Sequence, residues 1–390
     1  MASVSDIVKE INRSWKQEVF TAGDVIPECK RFSMGTLSAD FALYGGIPEG
    51  KLTVYAGESG SGKSLLAALA MAQYQKVHPD RVCVYVDAEE TLVGQLDFFV
   101  KMTGLQTSGN LFMRYDCTGK SAEEIFSDII KLQEADNIGM IVIDSAPMLL
   151  SQADIDSDLT KDNGQRASIA KSMGRFLRVM IPAIGKAGNP LLIINHTRVA
   201  GTTFTGAKIY TEPGGYSLNY YPTLKVRFAQ RKFTCGDRLD IAASKTDENT
   251  DGFCTTFSVT KNRLGPLNRN GAKIIFRFDT GIDTLTDLVE IITKYEIAQK
   301  TGITWRLSNP LTGEVYTDDA GNELKFVGKQ KLIDYLRDNE EFTKEYTDKV
   351  NTYINHLGRD VSLLDEDDLN QTVFAVTEGQ EECNTDNIEM

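Results

Sequence analysis

The chain has 390 residues, with 55 acidic against 42 basic side chains, 41% hydrophobic residues and 25% charged ones. Those fractions are ordinary for a soluble globular protein, and the length predicts two or three domains with ample core. No apolar run approaches the ~18 residues of a membrane span, and the N-terminus lacks the apolar stretch of a signal peptide, so a cytoplasmic protein with no membrane partner is expected.

The net charge of −13 is unevenly placed. Residues 360–390 carry ten acids and no Lys or Arg, which leaves 45 acids against 42 bases before them, a net of −3. Acidity confined to a tail leaves nucleic acid open as a partner of the body. Six cysteines lack a C-x-x-C pair and three histidines lack H-E-x-x-H, which argues against a zinc framework; Cys83 and Cys254 read as buried reduced thiols.

Residues 4–16 predict a short amphipathic helix, with Val4, Ile7, Val8, Ile11 and Trp15 at helical spacing. An extended piece, QEVFTAGDVIP, ends at Pro27. This arm is too small to bury a core and must dock on its own body or a neighbouring subunit. From Phe32, apolar runs at 51–56, 82–87, 139–145 and 190–195 alternate with helical segments such as 65–76. Continuous apolar runs at crossover spacing predict a parallel sheet covered on both faces. From about residue 223, LKVRFAQRKF, DRLDIAA, FCTTFSVTKNR and KIIFRF follow at hairpin spacing and extend that sheet antiparallel. Beyond a break near Asp279–Asp283, two helical patterns flank a polar hairpin-like stretch, a small α+β unit. The acidic end is expected to be disordered. The boundaries fall at 1–31, 32–284, 285–358 and 359–390.

The strongest motif is Gly57-Glu58-Ser59-Gly60-Ser61-Gly62-Lys63-Ser64, which fits G-x-x-x-x-G-K-[ST] between a strand-like and a helix-like run. Glycines let backbone N–H groups converge on phosphate oxygens, and the helix N-terminus adds a favourable dipole. Lys63 supplies charge to the β/γ-phosphates, and the Ser64 hydroxyl ligates Mg²⁺. Asp144 ends MIVID, the place for the acid near that metal, with a helix N-cap as the plain alternative. Asp87, Glu89 and Glu90 follow the 82–87 run on the same sheet edge, and spacing does not choose a water activator among them.

Asn195, His196, Thr197 and Arg198 end the next apolar run, where a polar group can sense a γ-phosphate; a structural histidine is the alternative. Residues 199–215 have little regular pattern and are Gly-rich, with Phe204, Tyr210 and Lys208 among them. A second polar stretch, Asp154–Gln165, runs into a helix carrying Arg166, Lys171 and Arg175. Two such loops on one edge suit single-strand binding or are an ordinary surface pair. Lys261 and Arg263, two residues apart in FSVTKNRL, face one side of an expected edge strand. They are either a clamp that reaches a neighbour's nucleotide or a solvated edge.

Taken in order, these segments resemble the RecA family of recombinases. FSMGTLSADFALYGGIPEGKLTVYAGESGSGKS resembles the entry segment and Walker A, YVDAEETL the strand bearing the catalytic glutamate, and IVIDS Walker B. IINHTR resembles the strand into the second DNA loop, EPGGYSLNYYPTLKVR its Gly-Gly exit at Gly214 and Gly215, and VTKNRLGP the intersubunit basic pair. DTGIDTLTDLVEI and YLRDNEEFTKEYTDKV resemble the junction and C-terminal domain, so the likeness spans residues 32–357.

The resemblance implies a RecA-like P-loop ATPase core with an N-terminal polymerisation arm. It implies Glu89 as catalytic glutamate, Lys63, Lys261 and Arg263 as catalytic cations, and ATP with Mg²⁺ at Gly57–Ser64, Asp144 and His196. Single-stranded and homologous duplex DNA, a homo-oligomeric helical filament, and single-strand-binding and loader proteins are the implied partners. Histidine at 196, where bacterial members carry glutamine, is similar to the phage UvsX-type recombinases, which makes the cytoplasm a host's if the origin is phage. The stretch 154–165 has little similarity to the bacterial loop. By analogy the arm's strand adds to a neighbour's sheet, with Phe20 as its anchor. Other classes are a hexameric helicase of the same core fold, a regulatory ATPase of the circadian-clock type, and a non-enzymatic mediator.

Overall fold

The computed structural model describes residues 3–16, 19–20, 28–109, 111–156, 166–202, 208–213, 215–234, 242–243, 252–265, 267, 269, 272–318 and 320–356. It divides into two compact units, residues 1–30 and 31–390. In the first, α1 (Val4–Trp15) begins with a capping box in which Ser3 Oγ accepts from Asp6 N and the Asp6 carboxylate accepts from Ser3 N. Its apolar positions Val4, Ile7 and Trp15 are exposed. Phe20, the expected anchor, is also exposed, and most of the extended arm lies outside the described residues.

The second unit opens with β1 (Arg31–Phe32), α2 (Leu37–Ala42) and β2 (Ile47–Pro48). There follow β3 (Leu52–Gly57), α3 (Lys63–Val77), β4 (Val82–Asp87), α4 (Leu96–Thr103), β5 (Phe112–Asp116), α5 (Ala122–Leu132), β6 (Ile138–Asp144), α6 (Gln152–Ile155), α7 (Arg166–Ala187) and β7 (Leu191–His196). Next come β8 (Arg198–Thr202), β9 (Lys208–Thr211), α8 (Ser217–Tyr220), β10 (Leu224–Thr234), β11 (Ala242–Ala243), β12 (Gly252–Asn262), β13 (Ala272–Arg277) and β14 (Gly281–Ile282). The chain ends in α9 (Thr284–Lys294), β15 (Gln299–Thr301), β16 (Thr304–Arg306), β17 (Lys325–Val327), α10 (Lys329–Asp338) and α11 (Glu340–His356).

The main sheet has the order β14-β13-β12-β10-β3-β7-β6-β4-β5, with β11 paired to β10. From β10 to β5 the strands run parallel, and β12, β13 and β14 extend it antiparallel. Because side chains alternate across a strand, one run feeds two cores. Tyr55, Tyr85, Val142, Leu192 and Ile194 pack with α3 on one face. Val54, Val86, Ile143, Leu191 and Ile193 pack with Phe126 of α5 and Phe176 of α7 on the other. A third cluster joins α9, α10 and α11 to Trp305, Phe326, and Leu37 and Phe41 of α2. Cys83 and Cys254 are buried and reduced. Among the described residues no helix is long and apolar enough to cross a membrane.

Two expectations need correction. The stretch 199–215, expected to have little regular pattern, contains in its described residues two paired strands: β8 and β9 run antiparallel, with Arg198 opposite Thr211 and Thr202 opposite Lys208. The sequence hides this hairpin because backbone pairing defines it and neither face carries an apolar row. The strand holding Lys261 is not an edge strand along its length, since β13 covers β12 from Gly252 to Phe257. Among the described residues, its last residues, Ser258–Asn262, have only β10 as strand neighbour, so Lys261 itself lies on the edge as expected. The acidic end, residues 359–390, lies outside the described residues.

Candidate active site

The parallel strands end together along one edge. Gly57 stands in register with His196 across β3 and β7, and Asp87 with Asp144 across β4 and β6. Sheet ends of this kind leave polar groups unpaired and facing a crevice.

Between β3 and α3 the chain makes the tight turn that its glycines permit. Gly60 and Gly62 hold φ of +73° and +83°, a region L side chains rarely enter. A Cβ on Gly57 would meet Ser61 Oγ at 2.5 Å and the Phe228 carbonyl at 2.8 Å. Helix α3 has no side-chain N-cap, so its first N–H groups are free to meet an anion. Lys63, 5% exposed, donates from Nζ to the Glu58 carbonyl (2.8 Å) and to Ser61 Oγ (3.3 Å). Burial lowers its pKa, and Asp144 and Glu89 partly restore it.

Asp144 is buried at the end of β6. Its Oδ2 accepts from Tyr85 OH (2.5 Å), and Oδ1 is buried with no protein hydrogen-bond partner. Burial raises its pKa, and the neighbouring Ser64 and Tyr85 hydroxyls act against that rise. A buried carboxylate oxygen left open beside a serine hydroxyl is the donor set of a hydrated divalent cation, so Ser64 and Asp144 fit Mg²⁺. Among the described residues no group of three or more His, Cys, Asp or Glu forms a metal cluster, as a site completed by phosphate and water would not require one.

The three acids at the end of β4 and just beyond it separate by their partners. Asp87 is buried and saturated: it accepts from Thr91 N (2.8 Å), Leu92 N (3.3 Å) and Arg114 Nε (2.7 Å). Glu90, at φ +55°, turns away to accept from Thr118 Oγ1. Glu89 Oε1 accepts from the Ser145 hydroxyl and lies 2.7 Å from His196 Nε2. The bond to His196 is the main cause that lowers the Glu89 pKa, and the carboxylate is a quarter exposed. An ionised carboxylate with one accessible side is suited to orienting water.

Lys261 and Arg263 share a face, as expected. Lys261 Nζ donates to the carbonyls of Asn219 (2.9 Å) and Tyr220 (2.6 Å), and Arg263 Nη2 to that of Tyr220 (2.5 Å). These are the terminal carbonyls of α8, where cations are favoured. Burial, then Arg263, lowers the Lys261 pKa.

Of the other sequence candidates, Arg198 is exposed at the start of β8, and Lys171 and Arg175 are exposed one turn apart on α7. Gly215 holds φ +77°, and a Cβ there would meet Ala170 Cβ at 2.7 Å, so the exit of the β8–β9 segment lies against the first turns of α7. That closeness joins the two loop regions. Arg166 opens α7 and Lys208 opens β9; Phe204 and Gly214 lie outside the described residues. Sequence reading missed Tyr85, Ser145 and Lys225. A lysine inside the strand run LKV was the one available signal for the last.

A family model described as the RecA N-terminal domain matches residues 2–283. The mitochondrial DNA repair protein recA homolog 3 of Arabidopsis thaliana is 27% identical over 322 residues, which cover 82% of this chain and 66% of that protein. Protein RecA of Wolbachia pipientis (subsp. Culex pipiens) is 26% identical over 347 residues, covering 88% and 87%. Protein RecA of Nostoc sp. is 29% identical over 350 residues, with the same coverage.

Proposed function

The chain belongs to the RecA family of ATP-dependent recombinases, and on that premise we propose that it forms helical filaments on single-stranded DNA and exchanges that strand into homologous duplex DNA. ATP lies between subunits, cradled by Gly57–Ser64 of one and clamped in trans by Lys261 and Arg263 of the next. Such cations neutralise charge developing in phosphoryl transfer and contribute on the order of 10³–10⁵ in rate. When bound through Ser64 and Asp144, Mg²⁺ neutralises phosphate charge. Lys63 holds the β/γ-phosphates, and Glu89 accepts a hydrogen bond from the attacking water and sets its line.

The observation that carries this reading is the Glu89–His196 contact. His196 ends β7 one residue before β8, so a histidine that exchanges Glu89 for the γ-phosphate moves the start of the β8–β9 hairpin. In this reading the hairpin and the exposed bases of α7 hold DNA by its backbone, and base pairing performs the sequence test. Histidine in that role accords with the UvsX-type branch. The arm at 1–31 joins subunits, the core spans 32–284, and 285–358 forms the small C-terminal domain ahead of the acidic tail.

Steady-state ATP hydrolysis with and without single-stranded DNA tests this. The wild-type protein should be stimulated by the strand, and Glu89→Gln should lose about 10² or more of turnover while still binding nucleotide. Turnover indifferent to DNA would instead fit a regulatory ATPase.

A further inference from the structure

Behind the Glu89–His196 contact runs a buried polar chain that no step above uses. Lys225, on β10, is 7% exposed, and its ammonium reaches Glu212 Oε2 at 2.5 Å and the Asn219 side-chain oxygen. A charge buried this deep calls for a partner of opposite sign, and the carboxylate comes from the segment leaving β9. Asn195, fully buried beside His196, donates from Nδ2 to the Pro213 carbonyl (2.9 Å) and lies 3.5 Å from the same Glu212 oxygen. Its Oδ1 accepts from His196 N (3.0 Å). At the other end, Asn219 belongs to α8, whose last carbonyls hold Lys261 and Arg263. One ammonium therefore ties the exit of the hairpin to α8, between the sensing histidine and the two clamping cations.

We propose that Lys225 is a positioning residue: by holding Glu212 and Asn219 it makes the hairpin exit and α8 move as one piece, so that events at His196 and at Lys261/Arg263 reach the DNA loop together. The inference rests on the reading of this site as a shared ATP site coupled to DNA. A desolvated ion pair is stiff and has few alternative partners, which is what transmission between two arrangements requires. The bland alternative is a pair that only holds the fold.

The two are separable. Lys225→Met leaves the half-buried Glu212 without its ion-pair partner and lowers stability, whereas Lys225→Met with Glu212→Leu removes both charges and restores it. The full-length variants are compared for unfolding midpoint and for ATP turnover with and without saturating single-stranded DNA. The double variant should recover the midpoint and keep its DNA-independent turnover, yet lose about fivefold or more of the stimulation by DNA, the usual scale of coupling between sites. Amide hydrogen exchange across 208–220 should also quicken in Lys225→Met while β3 and β7 stay protected. A double variant stimulated like the wild type, or unchanged exchange in Lys225→Met, overturns the proposal. If the wild-type protein itself is not stimulated, the functional reading falls and this inference falls with it.

Discussion

Asp87, Glu89 and Glu90 leave one strand within four residues, and their roles diverge through their partners. Both oxygens of Asp87 are taken by backbone N–H groups and Arg114, so it holds the turn. Glu89 keeps a free side and is held ionised by His196. An acid whose folded pKa is depressed adds stability above the ordinary carboxylate range and loses it as pH falls through the lowered folded value. In the His196→Ala variant the Glu89 pKa should return upward, so the acid limb of the pH–turnover profile should move to higher pH. An acid limb that stays in place would show that His196 does not set the state of Glu89.

At the scale of elements, one carboxyl fastens the junction of α2, α9 and β13. Asp287 of α9 accepts from Ser38 N at the start of α2, and the Ser38 hydroxyl donates to the Lys273 carbonyl of β13. Asp40, on α2, accepts from Met34 N and from the Ser33 hydroxyl. Burial raises both carboxyls to about 7. An unfolded aspartate ionises near 3.8, so the folded state binds more protons between that value and 7, and stability falls as pH rises through this window. Denaturant unfolding of Asp287→Asn at pH 5 and pH 8 should show the variant gaining on the wild type by on the order of 1–3 kcal/mol at the higher pH. A gap independent of pH would contradict the assignment.

The strands β3, β4, β6 and β7 were legible because burial on both faces demands unbroken apolar runs, and the phosphate turn because its glycines stand between a strand and a helix. Periodicity alone could not rank Asp87, Glu89 and Glu90, since their partners Arg114, Thr118, Ser145 and His196 are remote in sequence. The β8–β9 hairpin carries no apolar alternation to read. The Lys225–Glu212 pair forms across α8, and nothing in either local segment announces the other. The interior place of β12 follows from β10, β12 and β13 pairing side by side in chain order, with β11 set off that path.

For the whole molecule, the chain offers pieces that make sense between copies. Helix α1 presents Val4, Ile7 and Trp15 to solvent, an amphipathic face of the sort that binds a partner. Lys261 and Arg263 rest on the last carbonyls of α8, acceptors that in the proposed filament a neighbour's γ-phosphate would replace with a stronger charge-assisted bond. ATP that binds only the joined state drives association by mass action. The direct measurement is the solution mass, by light scattering, of the full-length protein with a slowly hydrolysed ATP analogue, Mg²⁺ and a long single strand of DNA. The account predicts assemblies of many subunits that disperse when nucleotide is withdrawn and that Lys63→Ala cannot form; a protein that remains a monomer with all three present contradicts it.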